Sequence, residues 1–371
     1  MSRLIIVNLL GTAPEQSRAV VGAELFSRAV SALPEGMRVR FAVSDEPAWR
    51  AALGEGAELV PCPGGSLWKR RFWEALYVQL IFPFRFLDAD RVFSVSPIFP
   101  ALLGSRNVVM IHDVAYRRFP AEAGLPARLY LRAMYRLAAL LARRIVTISR
   151  FSASEIEDAY GVPRSRIAVL PNSVPELVPL PGDEADRRVA KVAGKAPFFL
   201  YVGISRYRKN LPTLLAAFAE ASKAMPGLRL VLAGKEDARF VDVACIVARL
   251  GIADRVVRAG FVSLEDKAAL MQRAIALVQP SLYEGFGLQL LEAQRMGLPV
   301  IASGIPALRE VAGGAALFVD DPLDVSGFAD AMRAVAEDST LSARLAAAGH
   351  DNYPRYSWES NVAALTDLLA S

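Results

Sequence analysis

The stretch PSLYEGFGLQLLEAQRMGLPVIAS, residues 280–303, decides how the rest of the chain is read. An apolar run at 275–279 ends at Pro280, and the loop after it carries Glu284, Gly285 and Gly287. The spacing then predicts a helix from near Leu288 and a second apolar strand at 299–303. A helix start exposes backbone N–H groups that lack intrahelical partners, and these form a ready site for a phosphate. Glycine in such a loop lets a ligand come close to the backbone. Glu292 falls four residues into the helix, about 6 Å along its axis from Leu288 and on the same face. Glu284 lies ahead of the helix. A sugar–diphosphate–ribose chain would pass Glu284, the amide cluster and Glu292 in that order, the carboxylates accepting from paired hydroxyls. Taken alone, the two glutamates read better as solvated charges beside an ordinary helix.

Outward from this stretch the same alternation recurs. In the second half, strands are predicted at 198–203, 229–233, 256–261, 275–279, 299–303 and 316–319. Helices fall near 211–224, 239–250, 265–273, 288–296, 306–312 and 325–337. In the first half, strands are predicted at 4–8, 39–43, 91–95, 108–112, 145–149 and 167–171, with helices near 15–32, 66–82, 126–142 and 151–160. Strands separated by helices need crossover connections, hence a mainly parallel sheet covered on both faces. Segment 173–197, rich in proline and charge, breaks the rhythm and reads as a linker. The fold class is therefore α/β, with two domains in series. In open sheets of this kind ligands sit beyond the carboxyl ends of the strands, so two facing domains would hold a ligand in the cleft between them.

Composition bounds the partners. At 371 residues the chain is too long for one ordinary core, and 53% apolar with 22% charged residues is a globular balance. Residues 1–180 carry 22 basic and 16 acidic side chains, and residues 181–371 carry 21 and 22. A basic first half suits phosphate-bearing or membrane-bound partners, or solubility alone. No helix-turn-helix, zinc-finger or aromatic RNA-binding motif is present, which argues against nucleic acid. Cys62 and Cys245 have neither metal-ligand nor redox spacing, as in a reduced cytoplasmic protein. The run LIIVNLL after MSR is short for a signal peptide and suits a first strand. No run approaches the roughly 18 apolar residues of a membrane-spanning helix. The expected location is the cytoplasm, with attachment at most to the inner face of a membrane.

Two more strand ends carry chemistry. FFLYVG runs into ISRYRKNLP, which sets Arg206, Arg208 and Lys209 beyond a carboxyl end. Asn210 there is expected to cap the next helix, with Pro212 in its first turn. Three cations in such a place suit a diphosphate, above all one that departs with added negative charge. Each singly is also ordinary for a solvated loop. In the first half NVVMIHD sets His112 and Asp113 beyond a strand, where the histidine either touches a substrate or makes a structural hydrogen bond. Gly11, after the first strand, would let amides approach the phosphates, and is equally turn chemistry.

Together these segments resemble the family 4 glycosyltransferases, which have the GT-B fold. Residues 280–303 are similar to that family's most specific signature. YVGISRYRKNLPTLLAAF (201–218), AGFVSLEDKAALMQRA (259–274), VVMIHDVAY (108–116), RIVTISRFSASEI (144–156) and VLPNSV (169–174) match in the expected order. The resemblance covers nearly the whole chain. It implies two facing Rossmann-like domains with an interdomain cleft: 1–178 for the acceptor, 195–353 for the donor, and a terminal helix 354–371 returning to the first. It implies retention of the anomeric configuration and a nucleotide-diphosphate sugar as donor substrate, with no separate cofactor and no metal. Glu292 would hold the donor ribose, and Glu284 with the amides of Phe286, Gly287 and Leu288 the sugar and diphosphate. Lys209, with Arg206 or Arg208, would neutralise the departing diphosphate. Val262 would contact the base through its backbone, His112 the sugar from the first domain, and Gly11 and Gly203 would border the donor. The residues assigned to catalysis are Glu284, Lys209, Arg208 and His112.

The chain departs from the family in places. Ile204 stands where many members carry an arginine, after the glycine that Gly203 matches. One subgroup instead places Arg-Lys-Asn further on, which Arg208, Lys209 and Asn210 match, and this favours Arg208 over Arg206. The first loop lacks a double glycine, and PNSV replaces the usual PNG. The subgroup inclines the donor to GDP-mannose and the product to a bacterial surface polysaccharide, built on a glycan or lipid-linked acceptor.

Three rival readings stand beside this one. Asp88-Ala-Asp90 has the form of a metal-binding Asp-x-Asp, but at the amino end of a strand it reads as a turn. No Gly-x-Gly-x-x-Gly follows a first strand, which ranks a dinucleotide oxidoreductase low. A non-catalytic nucleotide-sugar-binding or scaffolding protein of the same fold is the remaining alternative, against which Glu284, Glu292 and Lys209 all being present counts. Segment 66–86, SLWKRRFWEALYVQLIFPFRF, mixes Trp68, Phe72, Trp73 and Tyr77 with Lys69, Arg70 and Arg71. It suits an anionic membrane surface, while Trp73-Glu74 also follows the family's ordinary packing.

Overall fold

The computed structural model describes residues 3–370 apart from 13–16, 31, 32, 34, 35, 64–66, 175 and 176. The side chains of 17–23, 67–72 and 370 are also outside the description, so the expectations for Trp68, Lys69, Arg70, Arg71 and Phe72 lie there. The chain divides into two compact units. The first takes residues up to Tyr116, Ala123–Ser173 and the C-terminal segment from Tyr356; the second takes Arg117–Glu122 and Val174–Arg355.

The first unit is built on seven strands: β1 (Arg3–Asn8), β2 (Met37–Val43), β3 (Leu59–Pro61), β4 (Arg91–Ser94), β5 (Asn107–Met110), β6 (Arg144–Thr147) and β7 (Ile167–Val169). Their order is β3-β2-β1-β4-β5-β6-β7, and every pair is parallel. Ile6, Val7, Val92, Val109 and Ile145 are wholly buried, as strands covered by helices on both faces require. Among the elements that carried no prediction are β3, of three residues, and the helix Glu46–Leu53, whose N-cap Asp45 accepts from the Ala48 N–H at 3.3 Å. Asp90 accepts the Leu4 N–H at 2.8 Å, so Asp88-Ala-Asp90 is a turn. The helix Trp358–Ala370 completes this unit. Leu365 and Leu369 are buried, and the Asn361 amide donates to the Pro171 carbonyl (3.0 Å) and Ser173 Oγ (2.8 Å).

The second unit has six parallel strands: β8 (Phe198–Val202), β9 (Arg229–Ala233), β10 (Val256–Gly260), β11 (Leu277–Gln279), β12 (Val300–Ser303) and β13 (Leu317–Val319). Their order is β10-β9-β8-β11-β12-β13. From β8 the chain winds to one side, then crosses back to lay β11 on the other side of β8. The strand order therefore reverses between β8 and β11, the switch point beside which open sheets of this kind hold their ligands. The carboxyl ends of β8 and β9 are closely packed: a Cβ on Gly234 would stand 2.1 Å from the Gly203 carbonyl oxygen.

The 173–197 segment is not simply a linker. It contains the helix Gly182–Val192, which buries Ala185 and Val189 in the same core cluster as Phe198 and Leu270. Its Arg188 reaches Asp266 at 2.9 Å. Ion pairs at i,i+4 join Glu184 to the same Arg188 and, on the exposed face, Asp183 to Arg187. Flanking prolines and dense charge hid a short helix whose apolar stripe is only a few residues wide. The helix Ser339–Asn352 was likewise not predicted, and Asp338 caps it by accepting from the Thr340 and Leu341 N–H groups. No helix of the described residues is long and apolar enough to cross a membrane.

Candidate active site

The loop after β8 makes one turn of 3-10 helix, Tyr207–Lys209, before the helix Leu211–Ala221. Asn210 sits at the junction as expected, but its role differs. It adopts a left-handed conformation (φ 55°) and caps no helical N–H. Its amide instead donates to the carbonyls of Pro280 (3.0 Å) and Pro322 (2.6 Å), while its Oδ1 accepts from Thr213 Oγ1. Asparagine is among the few residues that tolerate this conformation, and its amide spans what a short hydroxyl cannot. The Leu282 N–H donates to the Arg208 carbonyl at 2.8 Å, so the β8 and β11 loops are laced together along their length.

Across this seam the charged groups converge. Glu284 is only 5% exposed, and its Oε1 accepts from Lys209 Nζ (2.5 Å), Gln279 Nε2 (2.7 Å) and Ser281 Oγ (2.8 Å). Arg208 Nη1 lies 3.6 Å from Glu284 Oε2. Burial alone would push this carboxyl up, yet Lys209 and Arg208 together outweigh it and hold Glu284 below its ordinary value. Arg206 goes elsewhere. Its guanidinium stacks 4.2 Å from the Phe240 ring, and Nη1 reaches the Glu122 carbonyl at 3.3 Å.

Beyond Glu284 the chain passes Phe286 and turns at Gly287 (φ 95°) into the helix Leu288–Arg295. No side chain caps that start. A Cβ at Gly287 would meet Leu308 Cδ2 at 2.4 Å, so both conformation and space call for glycine. One turn in, Glu292 is 4% exposed and accepts from Lys267 Nζ at 2.7 Å. Burial raises its carboxyl above the ordinary value, and Lys267 opposes that only in part. Val262, just past β10, is half-buried beside Phe261, which is 89% exposed.

The structure thus brings Arg208, Lys209, Glu284, Gly287, Leu288 and Glu292 to one end of the second sheet. His112 and Gly11 belong to the first unit, at the carboxyl ends of β5 and β1. The His112 carbonyl accepts from Thr147 Oγ1 at 3.3 Å, Asp113 caps the turn at Ala115, and the Gly11 N–H donates to the buried Glu74 carboxylate at 3.0 Å. Sequence reasoning missed Gln279, Ser281, Lys267 and Glu122. Ser281 stood inside the segment already singled out, and Gln279 just before it, at the end of the strand that leads in. Lys267 and Glu122 reach the site only through folding, and no local pattern marks them.

Comparison with known proteins fits this geometry. The Glycosyl transferases group 1 family matches residues 182–351, and Glycosyltransferase Family 4 matches residues 27–176. The O-antigen chain mannosyltransferase B of Escherichia coli is 30% identical over 269 residues, 69% of this chain and 68% of that protein. The O-antigen chain mannosyltransferase RfbU of Salmonella typhimurium is 27% identical over 249 residues, 67% of this chain and 65% of that protein. Among solved structures, WaaG, a glycosyltransferase involved in lipopolysaccharide biosynthesis, superposes with a TM-score of 0.76 at 18% identity, covering 99% of this chain and 100% of that one. Anabaena Alr3699/HepE in complex with UDP and glucose gives 0.79 at 16%, covering 99% of each. At those identities the structural likeness speaks for the fold. With the sequence matches running through both halves and two parallel sheets of the Rossmann kind, the chain belongs to the family 4 glycosyltransferases and carries their GT-B fold.

Proposed function

We propose that this glycosyltransferase moves a hexose, mannose favoured, from a nucleotide-diphosphate sugar, GDP-mannose favoured, to a glycan or lipid-linked acceptor in bacterial polysaccharide synthesis. The transfer retains the anomeric configuration and needs no metal ion. The observation that carries the reading is the meeting of Lys209 and Arg208 with Glu284 beside the helix start at Gly287, with Glu292 one turn beyond. Two cations and a row of amides offer the charge that a departing diphosphate needs in a water-poor site. Glu292 takes the ribose hydroxyls, and Glu284 orients the sugar. Retention then follows from departure and attack on the same face, assisted by the leaving diphosphate, and no side chain is assigned as a covalent nucleophile. Support for mannose comes from the two O-antigen relatives and from the Arg208-Lys209-Asn210 sequence.

A thermal-shift screen against nucleotide sugars tests the donor, followed by transfer or donor hydrolysis with the product anomer read by NMR. Stabilisation by GDP-mannose and an α product from the α donor are expected, with the rate unchanged by a chelator. A chain that no nucleotide sugar stabilises would remove the reading; binding without hydrolysis or transfer would favour the scaffolding alternative.

We also propose that the first unit meets a membrane where lipid-linked acceptors reside. Trp73, Leu80, Ile81 and Phe84 of segment 66–86, and Leu87 just after it, are exposed. The helix Leu125–Leu141 exposes Leu125, Leu129 and Leu140 beside Arg132 and Arg136, and holds no acidic residue. Apolar side chains interleaved with arginine suit an anionic lipid surface.

A further inference from the structure

Segment Arg117–Glu122 follows His112 in the sequence yet belongs to the second unit. It touches both loops at the switch point. On the β8 side, the Glu122 carboxylate accepts from the Arg208 backbone N–H (2.9 Å) and from Arg208 Nε (3.1 Å), the two side chains being 11% and 14% exposed. On the β11 side, the Phe119 ring lies 6.2 Å from the ring of Tyr283, the residue before Glu284, and the Arg118 guanidinium lies 5.8 Å from the same ring. An arginine side chain turns about several bonds, and that freedom is lost when it must meet a phosphate. A carboxylate that takes both its Nε and its own backbone N–H removes the freedom beforehand. With Nε held by Glu122, the opposite edge of the guanidinium faces Glu284.

We infer that Glu122 is a positioning residue for the donor: it presets Arg208 to receive the diphosphate, while Phe119 steadies the Tyr283–Glu284 wall. This rests on the donor site proposed above. Two other roles give different results. As a competing anion, Glu122 would have to be displaced by the diphosphate; as a fold staple, it would matter to every ligand alike.

Calorimetry on the full chain separates these, using GDP and UDP as probes and guanosine and uridine as phosphate-free controls. Glu122→Ala is expected to weaken the diphosphate roughly tenfold or more, as loss of a hydrogen bond to a charged group implies, and to leave the nucleoside unchanged. Glu122→Gln, which keeps one acceptor oxygen, should fall between. In an Arg208→Ala background the Glu122→Ala change should cost nothing further. Tighter diphosphate binding by Glu122→Ala would overturn the inference in favour of a competing anion, and equal losses for nucleoside and diphosphate would overturn it in favour of a staple. An unchanged affinity in Glu122→Ala overturns it while leaving the donor site standing. A wild-type chain that binds neither GDP nor UDP takes down the donor site and the inference with it.

Discussion

Lys209 and Glu284 stand 2.5 Å apart with little water about them, so removing either leaves a buried charge short of a partner. Lys209→Ala should lower kcat by about 10²–10³-fold, the scale of losing one stabilising group at a developing charge. It should also destabilise the chain by roughly 3 kcal/mol, read by urea unfolding, because Glu284 stays behind. Normal turnover in that variant would refute the phosphate assignment. Glu292 gives a pH test. Its carboxyl is raised by burial above the ordinary 4.5, and ribose hydroxyls need it ionised. Donor affinity should therefore be full above the raised value and decline as pH falls through it, while Glu284, held low, stays ionised. A nucleotide sugar is the right probe, since it lacks the terminal phosphate that titrates at about 6. Glu292→Gln should flatten the profile; an unchanged slope would assign the titration elsewhere. Both glutamates were legible because loop, glycine and helix lie within one short segment. Glu122 was not, because its partner Arg208 is 86 positions away and nothing in FPAE announces a tertiary contact.

At the scale of elements, the turn into the helix Leu288–Arg295 is the most constrained piece of the site. Gly287→Ala adds a strained positive φ and drives a methyl into Leu308, so a loss of roughly 1–3 kcal/mol in unfolding free energy is expected, together with weaker nucleotide-diphosphate binding. Full stability in that variant would mean that the turn adapts and that close approach is not what selects glycine. Most strands were readable from Val/Ile runs, but their order was not, because crossover connections alone allow many orders. The misreadings have physical causes. The helix Gly182–Val192 buries only one narrow stripe against the helix Leu264–Arg273, too little apolar pattern to show through its charges. Strand β3 is three residues long. Asn210 was placed correctly at a helix start, but its amide went to two proline carbonyls from distant loops, a choice that local capping chemistry cannot foresee.

For the whole molecule, the exposed apolar side chains of the first unit lead to a solution experiment. The protein should co-sediment with vesicles containing phosphatidylglycerol and remain free of pure phosphatidylcholine vesicles, and Leu129→Glu with Leu140→Glu should abolish binding. Equal indifference to both vesicles would end the membrane reading. The two-domain plan itself was plain from the repeated alternation, but nothing in the sequence announced that residues Arg117–Glu122 are lent to the second unit. The chain is threaded at its far end too: the helix Trp358–Ala370, whose return the family resemblance implied, packs against Ser17–Val30 in the first unit, where the Arg28 guanidinium lies 4.7 Å from the Trp358 ring. That threading has a consequence for biosynthesis. Trp358, Leu365 and Leu369 leave the ribosome only after all of Val174–Arg355 has been made, an interval of roughly 10–40 s at ordinary elongation rates. During it the first unit has every strand but not its closing helix, while the second already has Glu122 waiting. The unit that starts first is the one that finishes last, and its uncovered apolar face is what a nascent-chain chaperone would meet.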